Sequence, residues 1–466
     1  MTYHIFFDNI NLIYFYENGD CALSTFFIIL SSVIVFPIVI IGCLKALCEG
    51  GITSSDNRFL RFFADTSKRS LSIDTRDNSN NKSFVYTAIW VFIMAIIFRI
   101  IIYFISYIII RTIVYPRGDF GLFVILRDWV RWDANNYIRI ATLGYDGYYE
   151  NKMATTLVFF PLYSWIMKLF HIFIPSIAAC GLIVSSLCYG LGCVFLYALV
   201  SDDYGKCVAK RAVILISVFP FSFFFGAIMP ESVFFFTGCA CMYFARKGRF
   251  VISGIWGALA SLSRMQGLLL AIFFVTEWLN TYKPFTLIRH KKYSTLWKSI
   301  FTKLTPVLIM PIGTLIYLYE NYRVTGDAFK FLEYQETVWG QHAQYFGVTV
   351  ADNFTNILTD YLSESSTLCI WIPQFVLFFL CCATLIYGIR HHKSGYILFL
   401  VLYLIMNYTP SLLLSGGRYM TVAFPMFIIL AEFFEKHPKM WEGVIIVSSI
   451  LFGVYMGVYL NYGRVF

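Results

Sequence analysis

The stretch VYTAIWVFIMAIIFRIIIYFISYIII, residues 85–110, carries one charged residue and exceeds the roughly 20 residues with which an α-helix crosses a bilayer core. Runs of this kind recur along all 466 residues, of which 59% are hydrophobic and only 14% charged. A soluble core of this size would need a charged shell, whereas a lipid-facing surface needs none. Backbone amides in lipid must find partners within their own segment, so the runs predict an all-α polytopic membrane protein.

The formal charge of +9 sits in short loops between apolar runs, which is the pattern of membrane topology and not of a nucleic-acid surface. The twelve cysteines fall mostly inside the runs, Cys180, Cys188, Cys193, Cys239, Cys241, Cys381 and Cys382 among them. Without CxxC pairs or histidines at zinc spacing they read as small hydrophobes, and neither a metal site nor a disulfide framework is expected.

Walking the chain with loop charge as a guide gives about 11–13 spans. Residues 1–85 form an extra first span, 24–47, and a polar cytoplasmic loop with Arg58, Arg61, Lys68, Arg69, Arg76 and Lys82; the domain proper occupies 86–466. Two long loops, 115–156 and 321–368, fall on the non-cytoplasmic side. Residues 157–174, stopped by Pro175, read as an interfacial or re-entrant helix. The run 251–281 is about ten residues too long for one crossing and is interrupted at SRMQG, which predicts two shorter helices with a turn between them.

By this walk Asp133, Glu231, Arg264 and Arg418 fall on one side of the membrane although hundreds of residues separate them. Boundary charges are functional candidates because an unpaired charge there is costly. One carboxylate placed to take a proton from a hydroxyl, beside arginines that neutralise a departing phosphate, suits group transfer from a lipid phosphate. Ion-coupled transport would place its acids in mid-membrane helix breaks. Asp128 and Asp146 read as loop pairing and turn formation, and His342 as a solvated side chain. Asp202 and Asp203 lie at the other face. Tyr137, Tyr145, Tyr148 and Tyr149 are candidates for stacking on sugar, and N-F-T at Asn353 matches the N-glycosylation tripeptide.

RWDANNYIRIATLGY followed by LVFFPLYSWI resembles the signature of the GPI mannosyltransferase 2 (PIG-V) family and its bacterial relatives. PESVFFF, GALASLSRMQGLLL and SGGRYMTVAFPMF follow in the family's order. The resemblance implies a GT-C glycosyltransferase that takes a hexose, mannose in this family, from a polyprenyl- or dolichyl-phosphate carrier to a lipid-linked glycan. It places Asp133 as general base in an inverting transfer. The matched motifs supply Trp132, Arg131, Asn136, Tyr137, Glu231, Arg264, Gln266, Arg418 and Tyr419 as substrate-binding candidates. No cofactor is implied; a divalent cation at Asp133 would lack an evident second ligand. The site would face away from the cytoplasm, into the endoplasmic reticulum lumen in a eukaryote or outside the plasma membrane in a bacterium. FFPLY departs from the eukaryotic F-F-P-G, which leaves the acceptor open. A protein O-mannosyltransferase, a lipid or sugar transporter and a non-catalytic scaffold stand as alternatives.

Overall fold

A computed structural model describes residues 18–52, 81–116, 121, 123–359 and 366–465; most of the expected polar loop before residue 81 lies outside the described residues. Among the described residues the chain is helical, with two isolated bridges, Glu150 to Met153 and Ala343 to Pro410, as its only extended pairing. The long apolar runs become α1 (Asn18–Glu49) and α2 (Asn81–Ile109), the latter prolonged by one π-turn over Ile110–Val114. The 115–156 loop contains the short helix α3 (Ala134–Leu143), and the run 157–174 forms α4 (Leu162–His171), at ten residues too short to cross a bilayer.

The bundle continues with α5 (Ile177–Tyr204), α6 (Lys206–Val218), α7 (Glu231–Arg246), α8 (Phe250–Ser263), α9 (Leu270–Tyr282) and α10 (Pro311–Thr325). It closes with α11 (Phe346–Thr359), α12 (Ile372–His391), α13 (Ser394–Asn407), α14 (Gly416–Thr421), α15 (Phe424–Lys436) and α16 (Trp441–Leu460). Among the described residues six helical stretches are long and apolar enough to cross a membrane. The others are shorter: α6 to α9, α13 and α15 run 13–16 residues, about 20–24 Å against a hydrocarbon core of about 30 Å, and α8 and α9 are the two short helices expected of the run 251–281.

The shortfall is concentrated at one end of the bundle. Residues 219–230, 264–269 and 408–423 complete their crossings as 3-10 turns, extended backbone and the six-residue α14. Irregular backbone at membrane depth survives only where protein covers it, and Phe223, Phe224, Phe225, Ala227, Ile228 and Met229 are all fully buried. Glu231 directly follows the first of these breaks, and the other two carry Arg264 and Arg418.

The opposite end is tied by a second set of charges. Arg246 at the end of α7 lies 2.8 Å from Asp203 of α5 and 2.8 Å from Glu277 of α9, with Lys393 3.5 Å from Asp203. Here α1 joins in: Lys45 donates to the carbonyls of Ile389 and His392, and Glu49 accepts from the Ser394 amide and hydroxyl. One helix thus caps the C-terminal carbonyls of α12 and the N-terminus of α13, which would otherwise be unsatisfied. Along its length α1 packs on α11 and α13, and Ser32 meets the Tyr345 hydroxyl at 2.6 Å.

Candidate active site

The site starts from a strained residue. Trp132 takes a left-handed backbone, φ 50°, which costs an L-residue about 1–3 kcal/mol where surroundings do not compensate. The twist separates its two neighbours. Arg131 turns into the protein, 3.4 Å from buried Asp128, donating to the Leu460 carbonyl at 3.0 Å and lying over the Tyr462 ring. Arg127 holds Asp128 from the other side at 3.0 Å, and that hydrogen bond raises its guanidinium above the ordinary arginine pKa. Asp128 therefore pairs within its loop, as expected, and Arg131 is engaged in the same pairing.

Asp133 faces the other way. It occupies the N-cap position of α3, yet its carboxylate makes no capping hydrogen bond. A capping aspartate would aim back at the free amides of the first turn; this one accepts instead from Nη1 of Arg418 at 2.6 Å. Arg418 extends its Nε to Glu231 Oε1 at 2.5 Å, and Arg264 donates to the same oxygen at 2.6 Å. Glu231, Arg418 and Arg264 are 0%, 3% and 7% exposed, whereas the Asp133 side chain is 28% exposed. The result is a line of alternating charge with its carboxylate end open.

Local backbone explains why these residues meet. Glu231 opens α7 directly after Pro230, where an acid is favoured by the helix dipole, and its carboxylate is bound by the two arginines besides. Arg264 is extended, φ −158° and ψ 147°, between α8 and the 3-10 turn Met265–Leu269. The turn folds so tightly that a Cβ on Gly267 would lie 2.3–2.5 Å from the backbone of Ala260 and Ser261, which accounts for the glycine three residues after the arginine. A Cβ on Gly417, beside Arg418, would meet the Phe221 ring at 2.6 Å.

Rings surround the arginines. Arg264 lies 4.8 Å from the centroid of Tyr419, and Arg418 5.8 Å from Tyr419 and 5.7 Å from Phe224. Tyr137 is buried edge-on to Phe159 and Tyr163, within electrostatic reach of Arg418 and Asp133. Gln266 binds Asn407 at 2.9 Å; Asn407 had no motif to mark it in the sequence. Asn136 bonds Arg139 on the outer side of α3 and does not join the charged line. Tyr145 is buried with its hydroxyl on the Phe159 carbonyl, Tyr148 is held over Arg139, and Tyr149 is exposed. His342 is exposed and bonds Ser411 at 3.2 Å. Among the described residues no three His, Cys, Asp or Glu side chains gather to hold a metal ion.

A helical membrane bundle with a buried, charge-balanced arginine–carboxylate line at one end is the class that fold and site define. Residues 122–339, which include Asp133, Glu231 and Arg264, match the family described as mannosyltransferase (PIG-V), and the chain is a membrane glycosyltransferase. Arg418 and Tyr419 lie beyond the matched segment. No curated protein matches the chain significantly. Among solved structures it is similar to ArnT from Cupriavidus metallidurans bound to undecaprenyl phosphate, at 12% identity and TM-score 0.45 over 83% of this chain and 77% of that one. It is also similar to the oligosaccharyltransferase AglB from Archaeoglobus fulgidus in complex with an inhibitory peptide and a dolichol-phosphate, at 12% identity and TM-score 0.40 over 82% and 56% of the two chains.

Proposed function

We propose that this glycosyltransferase moves a mannosyl group from a polyprenyl-phosphate carrier to a hydroxyl of a lipid-linked glycan, on the non-cytoplasmic face of the membrane. The observation that carries this reading is the half-open Asp133 at the end of a buried arginine line, within a segment matching mannosyltransferases. Asp133 Oδ2 is held by Arg418, and no hydrogen bond to Oδ1 is present among the described residues. In this reading that oxygen takes the proton of the acceptor hydroxyl.

In the step, the acceptor oxygen forms a bond to the anomeric carbon as the bond from that carbon to the phosphate oxygen breaks. The phosphate leaves with the electron pair from the opposite face of the sugar, so the anomeric centre inverts. Its new charge falls to Arg418 and Arg264, both already oriented by Glu231. Trp132 and Tyr419 wall the sugar, and Tyr137 backs them from the core.

The test is transfer of radiolabelled mannose from a short-chain polyprenyl-phosphate mannose by the purified protein in lipid, with a membrane-lipid extract as acceptor, beside Asp133→Asn. Label in a lipid product with the native chain alone supports the reading. Equal transfer by Asp133→Asn removes Asp133 as base; no transfer by either removes the mannosyl donor.

A further inference from the structure

Away from the charged line lies a cavity of about 190 Å³ between α2, α6 and α16. Phe98 and Ile102 form one wall, Val218 the back, and Phe452, Gly453 and Met456 the other wall; Ser449 supplies its only polar side chain. The cavity opens between two faces that carry exposed apolar side chains, Ile101 and Ile105 on α2 and Ile450 and Val454 on α16. Both helices are candidate membrane spans with little of their surface buried, so what borders the opening is bilayer. An apolar hollow at that depth offers water no partners and is filled by hydrocarbon.

We propose that this groove holds the polyprenyl chain of the lipid-phosphate donor, an assignment that rests on the donor reading above. Its direction is what favours that occupant over bulk lipid. From Gly453, α16 runs seven residues, about 10 Å, to Leu460, whose carbonyl binds Arg131 at 3.0 Å. One residue earlier the Tyr459 hydroxyl donates to the Trp129 carbonyl at 3.2 Å. On the inner wall Phe452 contacts the Phe223 ring at 6.0 Å, and Phe223 adjoins Phe224, the ring beside Arg418. A chain lying in the groove with its head toward this end brings its phosphate to the loop that carries Asp133 and to the arginines behind it. The lining of Phe and branched side chains, with open space beside Gly453, suits a methyl-branched chain of varying thickness.

The experiment photolabels the full protein, in phosphatidylcholine nanodiscs, with a polyprenyl phosphate bearing a diazirine in its chain. Labelling is expected on peptides containing Phe98 and Met456, competed at least about tenfold better by unlabelled polyprenyl phosphate than by added phosphatidylcholine. Gly453→Phe fills the open space and is expected to cut labelling about tenfold, the equivalent of two lost buried methylenes. Gly443→Phe, at another glycine of α16 with no atom near its Cβ, controls for folding and is expected to label normally. Label on other helices, equal competition by phosphatidylcholine, or no effect of Gly453→Phe overturns the proposal. Because labelling needs no turnover, groove labelling without mannosyl transfer leaves this assignment standing and removes the proposed reaction instead.

Discussion

Nη1 of Arg418 lies 2.6 Å from Oδ2 of Asp133, joining residues 285 positions apart in the chain. The same guanidinium holds Glu231, so Arg418 is shared between an acid sealed in the core and one open to the exterior. A donor phosphate entering here competes with Asp133 for that guanidinium, and success loosens the hydrogen bond between Arg418 and Asp133. Lysine, a point charge, cannot bridge two carboxylates in fixed directions. Arg418→Lys is expected to lower kcat/KM at least about 100-fold while the protein inserts normally, as measured by transfer kinetics beside a thermal unfolding assay.

Asp133→Asn keeps the size of the side chain and removes the base. Transfer is expected to fall about 100- to 10,000-fold with little change in unfolding temperature. Asp128→Asn is expected to do the reverse, since it leaves buried Arg131 without its carboxylate. Comparing both variants in the two assays separates chemistry from loop structure, and equal behaviour would place Asp133 in the structural class.

Glu231 accepts from two arginines on one oxygen in a fully buried setting. Glu231→Gln leaves two buried cations against one carboxylate, a loss of about 3–5 kcal/mol. Adding Arg264→Met to Glu231→Gln restores the charge balance, and unfolding is expected to recover part of that loss. Transfer stays lost in the double variant, because the phosphate has then given up one of its two cations.

Arg99 in α2 is 1% exposed, and no nitrogen of its guanidinium has a hydrogen-bond partner among the described residues; it lies 3.9 Å over the ring of Tyr189. A ring face returns about 2 kcal/mol to a desolvated cation, less than the several kcal/mol of removing that cation from water. Arg99→Met is therefore expected to match or exceed the native unfolding temperature. A marked loss of transfer in that stable variant would show that the charge is retained for function.

The N-F-T tripeptide is expected to remain unmodified. Asn353 is 2% exposed and its carboxamide oxygen accepts from Gln374 at 2.8 Å. In a glycosylating host, glycosidase treatment should leave the protein's mobility unchanged, whereas Asn353→Ala should cost about 1–3 kcal/mol by leaving one N–H of the buried Gln374 amide without its acceptor.

The site residues that could be read from sequence are those that interrupt apolar runs: W-D, P-E-S, S-R-M-Q-G and S-G-G-R each mark a place where a helix stops short. Their partners could not be read in the same way. Arg131 and Asp133 are two residues apart and face opposite ways because Trp132 has a positive φ, which no spacing rule announces. Arg246 and Lys393 sit in stretches that read as basic loop ends, and only packing brings Asp203 and Glu277 against them. Asn353 matched a surface motif, but α11 folds back on α12 and buries it.

The pairing of Lys45 and Glu49 with residues 389–394 also sets an order of assembly. These two charges leave the ribosome some 340 residues ahead of the groups they cap, a wait of roughly 20–70 s at ordinary elongation rates. For that interval the first helix stands in the membrane without its latch. The bundle can close at that end only when nearly the whole chain has been threaded, so a product truncated before residue 389 keeps an unlatched helix for quality control to find.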